Sequence, residues 1–98
     1  MNSNEIKIGS QNVFLDLGFS SQEAENLRIR SQLMDQITTL IETQNWTIGA
    51  ASTYLGTSIE SVEALYQGKI SQFSIEQLIT MLTHAGMKIQ IEVLPAAA

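Results

Sequence analysis

The longest hydrophobic pattern in the chain lies in residues 24–41, where apolar side chains recur at spacings of three and four. This spacing places them on one face of an α-helix, and such a face is usually buried against a core. Ser20 and Glu23 have the Ser-x-x-Glu spacing of a capping box, so the helix is predicted to begin there and to extend to about Gln44. The apolar face consists of Ala24, Leu27, Leu33, Met34, Ile37, Leu40 and Ile41.

Two further helices are predicted towards the ends of the chain. Asn12 is a suitable cap for the first, and Gly18 would end it, because glycine readily adopts the left-handed conformation that follows many helices. Ser74 and Gln77 form a second capping-box pattern, and Gly86 would end the helix that begins there. The apolar positions are Val13, Phe14 and Leu17 in the first helix, and Leu78, Ile79, Met81 and Leu82 in the second.

Residues 47–69 have the pattern of two helices joined by a tight turn. Thr47 offers a hydroxyl cap for the first helix, and Gly56 permits the turn. Ala51 is small enough for a second helix to pack closely, and Val62 and Leu65 are spaced for one buried face of that second helix. This arrangement predicts a helix-turn-helix motif.

Four details of this segment carry structural expectations. Gly49 lies inside the first helix at a cost of about 1 kcal/mol relative to alanine, so a close helix crossing is expected there as compensation. Thr57 and Glu60 have the Thr-x-x-Glu spacing of a capping box, which gives Glu60 a structural role at the start of the second helix. The aromatic side chains of Trp46 and Tyr66 are predicted to pack in the core.

After Gly86 the hydrophobic period changes from near four to two, which predicts a β-strand over residues 87–94. A single strand is not stable in water, because its backbone N–H and C=O groups need a partner. The partner would be the same strand of a second copy or the short alternating segment at residues 5–8. The first alternative makes Ile89, Ile91 and Val93 the predicted dimer interface.

Length and composition indicate one small domain. Ninety-eight residues suit a single domain at residues 12–94, between an irregular N-terminal arm (residues 1–11) and a tail (residues 95–98). The predicted class is all-α, with five helices in one bundle and the short C-terminal strand. The chain has no cysteine, which excludes disulfides and thiolate metal sites. It shows no signal-peptide pattern and no apolar run of about 18 residues, so no membrane association and a cytoplasmic location are expected.

The sequence gives little support for an enzyme. His84 is the only histidine, and its simplest role is at the negative end of its helix. The acidic residues have no paired spacing that suggests a general acid and base, and no nucleophile or phosphate-loop motif is present. No catalytic residue, metal ligand or cofactor is therefore predicted.

The framework of the motif resembles the phage-repressor and Cro type of DNA-binding domain, known as the XRE family. The resemblance extends from about Phe14 to Val93. It implies a repressor-like bundle that binds double-stranded DNA as a homodimer. The framework residues are Trp46, Thr47, Ala51, Leu55, Gly56, Val62, Leu65 and Gly68.

The segment after the motif is similar to that of the compact antitoxins of toxin–antitoxin modules. The matching positions are Phe73, Ser74, Glu76 and Leu78. Such antitoxins repress their own promoter and bind a toxin, so the resemblance implies a toxin or another protein as a possible second partner.

The resemblance also implies a set of DNA-contacting residues. Ile48 departs from the family, which usually has a phosphate-binding glutamine at this position. The residues expected to face base edges are Ser61, Glu63, Ala64 and Gln67, those expected to touch the DNA backbone are Thr47, Gln67 and Lys69, and Arg28 and Arg30 are possible flanking contacts.

Charge separates two hypotheses about function. Ten acidic and five basic residues give a net charge of −5, whereas DNA-binding domains usually concentrate basic residues on one face. Glu63 either accepts a hydrogen bond from cytosine in the major groove or indicates that the groove is not the target. The first hypothesis is a dimeric transcriptional regulator that binds an operator. The second is a protein–protein interaction or dimerisation module that has lost DNA binding.

Overall fold

The computed structural model describes residues 12–95, which contain five α-helices and no β-strand. The predicted all-helical bundle is therefore confirmed for this part of the chain. None of these helices is long and apolar enough to span a bilayer. A short 3-10 helix at Ile70–Gln72 precedes the last α-helix. The α-helices are α1 (Val13–Asp16), α2 (Ser21–Thr43), α3 (Ile48–Leu55), α4 (Ile59–Tyr66) and α5 (Ile75–His84).

Polar side chains begin all five helices, as expected where the first backbone N–H groups have no partner inside the helix. The predicted caps Asn12, Ser20 and Thr47 are confirmed. Ser74 and Gln77 form the predicted capping box: the Ser74 hydroxyl accepts from the Gln77 N–H at 3.1 Å, and the Ser74 N–H donates to Gln77 Oε1 at 2.9 Å.

Each α-helix ends with a Schellman motif, in which two N–H groups beyond the helix reach back to its last carbonyls. At the end of α3, the Gly56 N–H donates to the Thr53 carbonyl at 3.2 Å, and the Thr57 N–H donates to the Ser52 carbonyl at 2.9 Å. The residues with positive φ at these ends are Gly18, Asn45, Gly56, Gly68 and Gly86.

This helix end changes the start of α4. Because Thr57 belongs to the Schellman motif of α3, the N-cap of α4 is the next residue, Ser58, whose hydroxyl accepts from the Ser61 N–H at 3.1 Å. The predicted Thr57–Glu60 capping box was therefore wrong, and Glu60 has no capping role.

One hydrophobic core holds the helices together. α2 packs against α1, α4 and α5, and α3 packs against α4 and α5. Burial of a leucine, isoleucine or valine side chain contributes about 1.5–3 kcal/mol relative to exposure. The large side chains that are completely buried are Ile37, Leu55, Val62, Leu78 and Leu82.

His84 connects α5 to the turn of the helix-turn-helix motif. Its Nδ1 donates to the Tyr54 carbonyl at a distance of 2.9 Å. Its ring Cδ2 lies 2.9 Å from the position that a Cβ would occupy at Gly56. His84 is therefore more than the helix-end residue that the sequence predicted, because it fixes the spacing between α5 and the turn.

Two further structural expectations in the motif were wrong. A Cβ at Gly49 would meet no atom within 4 Å, so no helix crosses closely there. Tyr66 is 46% exposed and does not belong to the core. Trp46 does pack against the core as predicted, and its ring also stacks on Tyr54 with the centroids 4.4 Å apart.

The predicted C-terminal strand is absent from the described residues. Met87 and Ile89 pack against the core, whereas Ile91 is 60% exposed and Val93 is 89% exposed. Burial thus alternates at the start of the segment, as expected for a strand. Residues 12–95 contain no second strand, however, so its backbone has no partner for the hydrogen bonds of a β-sheet. The alternative partner at residues 5–8 lies outside the described residues, and pairing across a dimer stays a prediction.

Candidate nucleic-acid interface

The helix-turn-helix motif is formed by α3, the turn at Gly56 and α4. Gly56 adopts φ 65° and ψ 35°, a left-handed conformation that side chains with a Cβ rarely adopt. Ala51 and Leu55 of α3 and Val62 and Leu65 of α4 are almost completely buried. These contacts fix the angle between the two helices and leave the opposite side of α4 at the surface.

The surface side of α4 is a continuous stripe, which we call the outer face of α4. Its members are separated by one, three or four positions, as expected for one side of an α-helix. None of their side chains forms a hydrogen bond or an ion pair with residues 12–95. The outer face consists of Ile59, Glu60, Glu63, Tyr66 and Gln67.

The structure divides the predicted base-facing residues into two groups. Glu63 and Gln67 lie on the outer face of α4. Ala64 is only 5% exposed, so its prediction as a base-facing residue was wrong. In the structure Ala64 lies on the buried side of α4, together with Val62 and Leu65.

Ser61 also lies away from the outer face. It is half-buried, its N–H is bound by Ser58, and the Ser58 hydroxyl donates to the Ser61 hydroxyl at 3.1 Å. Ser61 lines a cleft between α4 and α5, together with Glu76 and His84. The structure therefore does not group Ser61 with Glu63 and Gln67.

The two remaining predicted contacts, Thr47 and Lys69, are both exposed. The Thr47 hydroxyl oxygen accepts from the Ala50 N–H at 3.1 Å, which leaves its proton available to another acceptor. The Lys69 N–H donates to the Ala64 carbonyl at 3.1 Å as part of the Schellman motif of α4. Its backbone is thus fixed directly after α4, while its ammonium group has no ion pair with the described residues.

The possible flanking arginines have structural roles. Arg28 is 7% exposed and forms an ion pair with Glu25, and this hydrogen-bonded pairing lowers the pKa of the Glu25 carboxyl. Arg30 donates from Nη1 to the carbonyls of Ile70 and Phe73 at 3.1 and 3.3 Å. Both guanidiniums thus have partners within the fold, and their role as flanking DNA contacts stays a prediction.

The outer face of α4 carries negative charge, because it contains two glutamates and no basic residue. Glu60 lies in the first turn of α4, where the partial positive charge of the helix N-terminus favours a carboxylate. Glu63 lies one turn further along. Among the basic residues described, only Lys69 and Lys88 have side chains without a hydrogen bond or ion pair, and Lys88 lies in the C-terminal segment.

Sequence reasoning missed Tyr66 as a member of the outer face, and it gave Glu60 a capping role that the structure does not show. Counting about 100° per residue from Val62 and Leu65 places Glu60 and Glu63 on the exposed side, but it places Tyr66 only about 40° from Val62. The partial exposure of Tyr66 is therefore decided by how α4 packs against its neighbours.

The comparison with known proteins agrees with this geometry. A family model described as a helix-turn-helix domain matches residues 13–94, which include all five helices. No curated protein and no solved structure matches the chain. The matched region covers most of the 98 residues, and its central feature is the α3–turn–α4 unit described above. The chain therefore belongs to the helix-turn-helix domain family.

Proposed function

We propose that this protein is a transcriptional regulator that binds double-stranded DNA and places α4 in the major groove of an operator. The observation that carries the proposal is the outer face of α4: five exposed side chains, none of which forms a hydrogen bond or an ion pair with the described residues. In helix-turn-helix proteins, the second helix of the motif enters the major groove and its exposed residues contact base edges. The proposal includes the cytoplasm as the place of action and assigns no enzymatic activity.

Contacts to the DNA backbone would come from the two ends of the motif. At the start of α3, the Thr47 proton and the N–H groups of Ile48 and Gly49 are available to a phosphate, and the open space around Gly49 permits close approach. After α4, Gln67 and Lys69 are exposed. These few contacts predict weak binding. The logarithm of the binding constant should fall only slowly with the logarithm of the salt concentration, because the slope is about −0.9 for each neutralised phosphate.

The proposal includes a homodimer. Within residues 12–95 the backbone groups of residues 88–94 have no hydrogen-bond partner, and the side chains of Ile91 and Val93 are exposed, whereas Met87 and Ile89 anchor the segment to the core. Antiparallel pairing of this segment about a twofold axis would satisfy the backbone groups of both copies. Such a dimer would present two copies of α4 to a palindromic operator.

The experiment is a binding selection from random duplex DNA at low salt, with Lys69→Glu as the test variant. Gln36→Glu is the control, because it adds an acidic charge at an exposed position of α2, outside both the motif and the C-terminal segment. We expect the wild type and the control to enrich the same sequence and Lys69→Glu to enrich none. No enrichment by the wild type would contradict the proposal.

A second candidate function is a protein–protein interaction module with a helix-turn-helix scaffold. It is favoured by the two carboxylates on the outer face of α4 and by the engagement of both arginines within the fold. An acidic surface of this kind suits a basic partner. This alternative predicts no selected sequence for the wild type, and a general affinity for DNA when Glu63→Gln removes a repulsive charge.

The antitoxin form of the proposal rests on the resemblance of the segment from Phe73 to Leu78. Within the fold these residues have structural roles: Phe73 and Leu78 are buried, and Ser74 caps α5. The segment therefore supports the bundle, and of the four matching residues Ser74 and Glu76 are exposed. Co-purification of a toxin with this chain would be needed to support that form.

A further inference from the structure

Glu63 is the member of the outer face that the fold explains least. It is the fifth residue of α4 and is exposed, and its carboxylate has no hydrogen bond or ion pair with residues 12–95. Glu60 differs, because it lies in the first turn and gains from the helix N-terminus, an effect that is lost beyond that turn. If α4 enters the groove, the role of Glu63 must therefore come from the DNA.

A carboxylate in the groove is costly unless it finds a donor. Repulsion by one phosphate at about 4 Å in water would weaken binding roughly fivefold, and more where water is excluded. No described basic side chain pairs with Glu63 to offset this repulsion. A hydrogen-bond donor on a base edge is the remaining source of compensation.

The bases differ in whether they can supply this donor alone. In the major groove guanine presents two acceptors, thymine presents one acceptor and a methyl group, and adenine presents an acceptor next to its amino donor. Cytosine presents an amino donor with no acceptor on its own edge. A carboxylate, which can only accept, thus matches cytosine best.

We propose that Glu63 is a specificity-determining residue that selects cytosine in each operator half-site. This inference rests on the proposed DNA binding of α4. The Glu63 carboxylate accepts from the cytosine amino group, and Gln67, one turn later on the same face, contacts the adjacent part of the site. The operator therefore contains a G·C pair at the position that faces Glu63.

The experiment compares the wild type with Glu63→Gln in the same selection from random duplex DNA. Glutamine pairs best with adenine, because its amide both donates to N7 and accepts from the amino group. We expect one position of the selected sequence to change from cytosine to adenine, with a preference of roughly five- to a hundredfold in each case. Asp35→Asn is the matched control, since it removes one exposed carboxylate of α2 and should leave the sequence unchanged.

The outcomes distinguish this inference from the proposed function. A change from cytosine to adenine at one position in Glu63→Gln alone supports the inference. A selected sequence that is identical in the wild type, Glu63→Gln and Asp35→Asn overturns it while leaving DNA binding intact. Absence of any selected sequence in all three proteins overturns the proposed function and the inference with it.

Discussion

At the scale of single residues, the contact between His84 and Gly56 has two effects on the motif. The backbone at position 56 is left-handed, which favours glycine. A side chain there would also collide with the His84 ring, whose Cδ2 lies 2.9 Å from the Cβ position. His84 in turn holds the end of α3 through the Tyr54 carbonyl. The histidine thus connects α5 to the turn that sets the position of α4.

Gly56→Ala should reduce the free energy of unfolding more than Gly68→Ala does. Both glycines have positive φ, which costs an alanine about 1–2 kcal/mol, but a Cβ at Gly68 would meet no atom within 4 Å. The measurement is urea unfolding of both variants, repeated in a His84→Ala background. In the His84→Ala background, the two glycine substitutions should lower the free energy of unfolding by nearly the same amount. An excess cost at Gly56 that persists without His84 would show that the ring is not its cause.

At the scale of secondary-structure elements, polar caps and Schellman motifs bound each helix, and neighbouring elements compete for residues. Thr57 ends α3, so Ser58 begins α4. α3 contains a glycine that the packing does not require: Gly49 lies in its first turn, and no other helix approaches it closely.

Gly49→Ala should stabilise the protein. The position is helical with free space for a Cβ, and alanine is favoured over glycine in helices by about 0.5–1 kcal/mol. Thermal and urea unfolding would measure the gain. If the open start of α3 receives a phosphate, the same substitution should also weaken DNA binding. Lower stability would mean that residue 49 requires a conformation that alanine does not adopt.

At the scale of the whole molecule, the C-terminal segment is the surface through which we propose that two copies associate. The first part of this segment packs within its own chain, since Met87 and Ile89 contact the core. Its later apolar side chains, Ile91, Val93 and Leu94, are 60%, 89% and 60% exposed. Exposed apolar residues on a segment that has no backbone partner within residues 12–95 favour pairing with a second copy.

Ile91→Asp should give a folded monomer, whereas the wild type should sediment as a dimer. The substituted side chain is exposed in the monomer, so its helical circular dichroism should be retained. Ile89→Asp is the informative comparison, because this residue packs against the core and its replacement should lower stability as well. An Ile91→Asp protein that remains a dimer of unchanged stability would refute the strand interface.

The sequence by itself determined the helices, most of their caps and the turn at Gly56, because these depend on hydrogen bonds and apolar spacings within about five residues. Tertiary structure decided the rest, through residues distant in the chain. Arg30 is engaged by Ile70, 40 positions away, and His84 by Tyr54, 30 positions away. Packing against the core also decided that Ala64 is buried, since composition alone does not orient α4. The C-terminal alternation predicted a strand, but a strand forms only where a second edge accepts its hydrogen bonds.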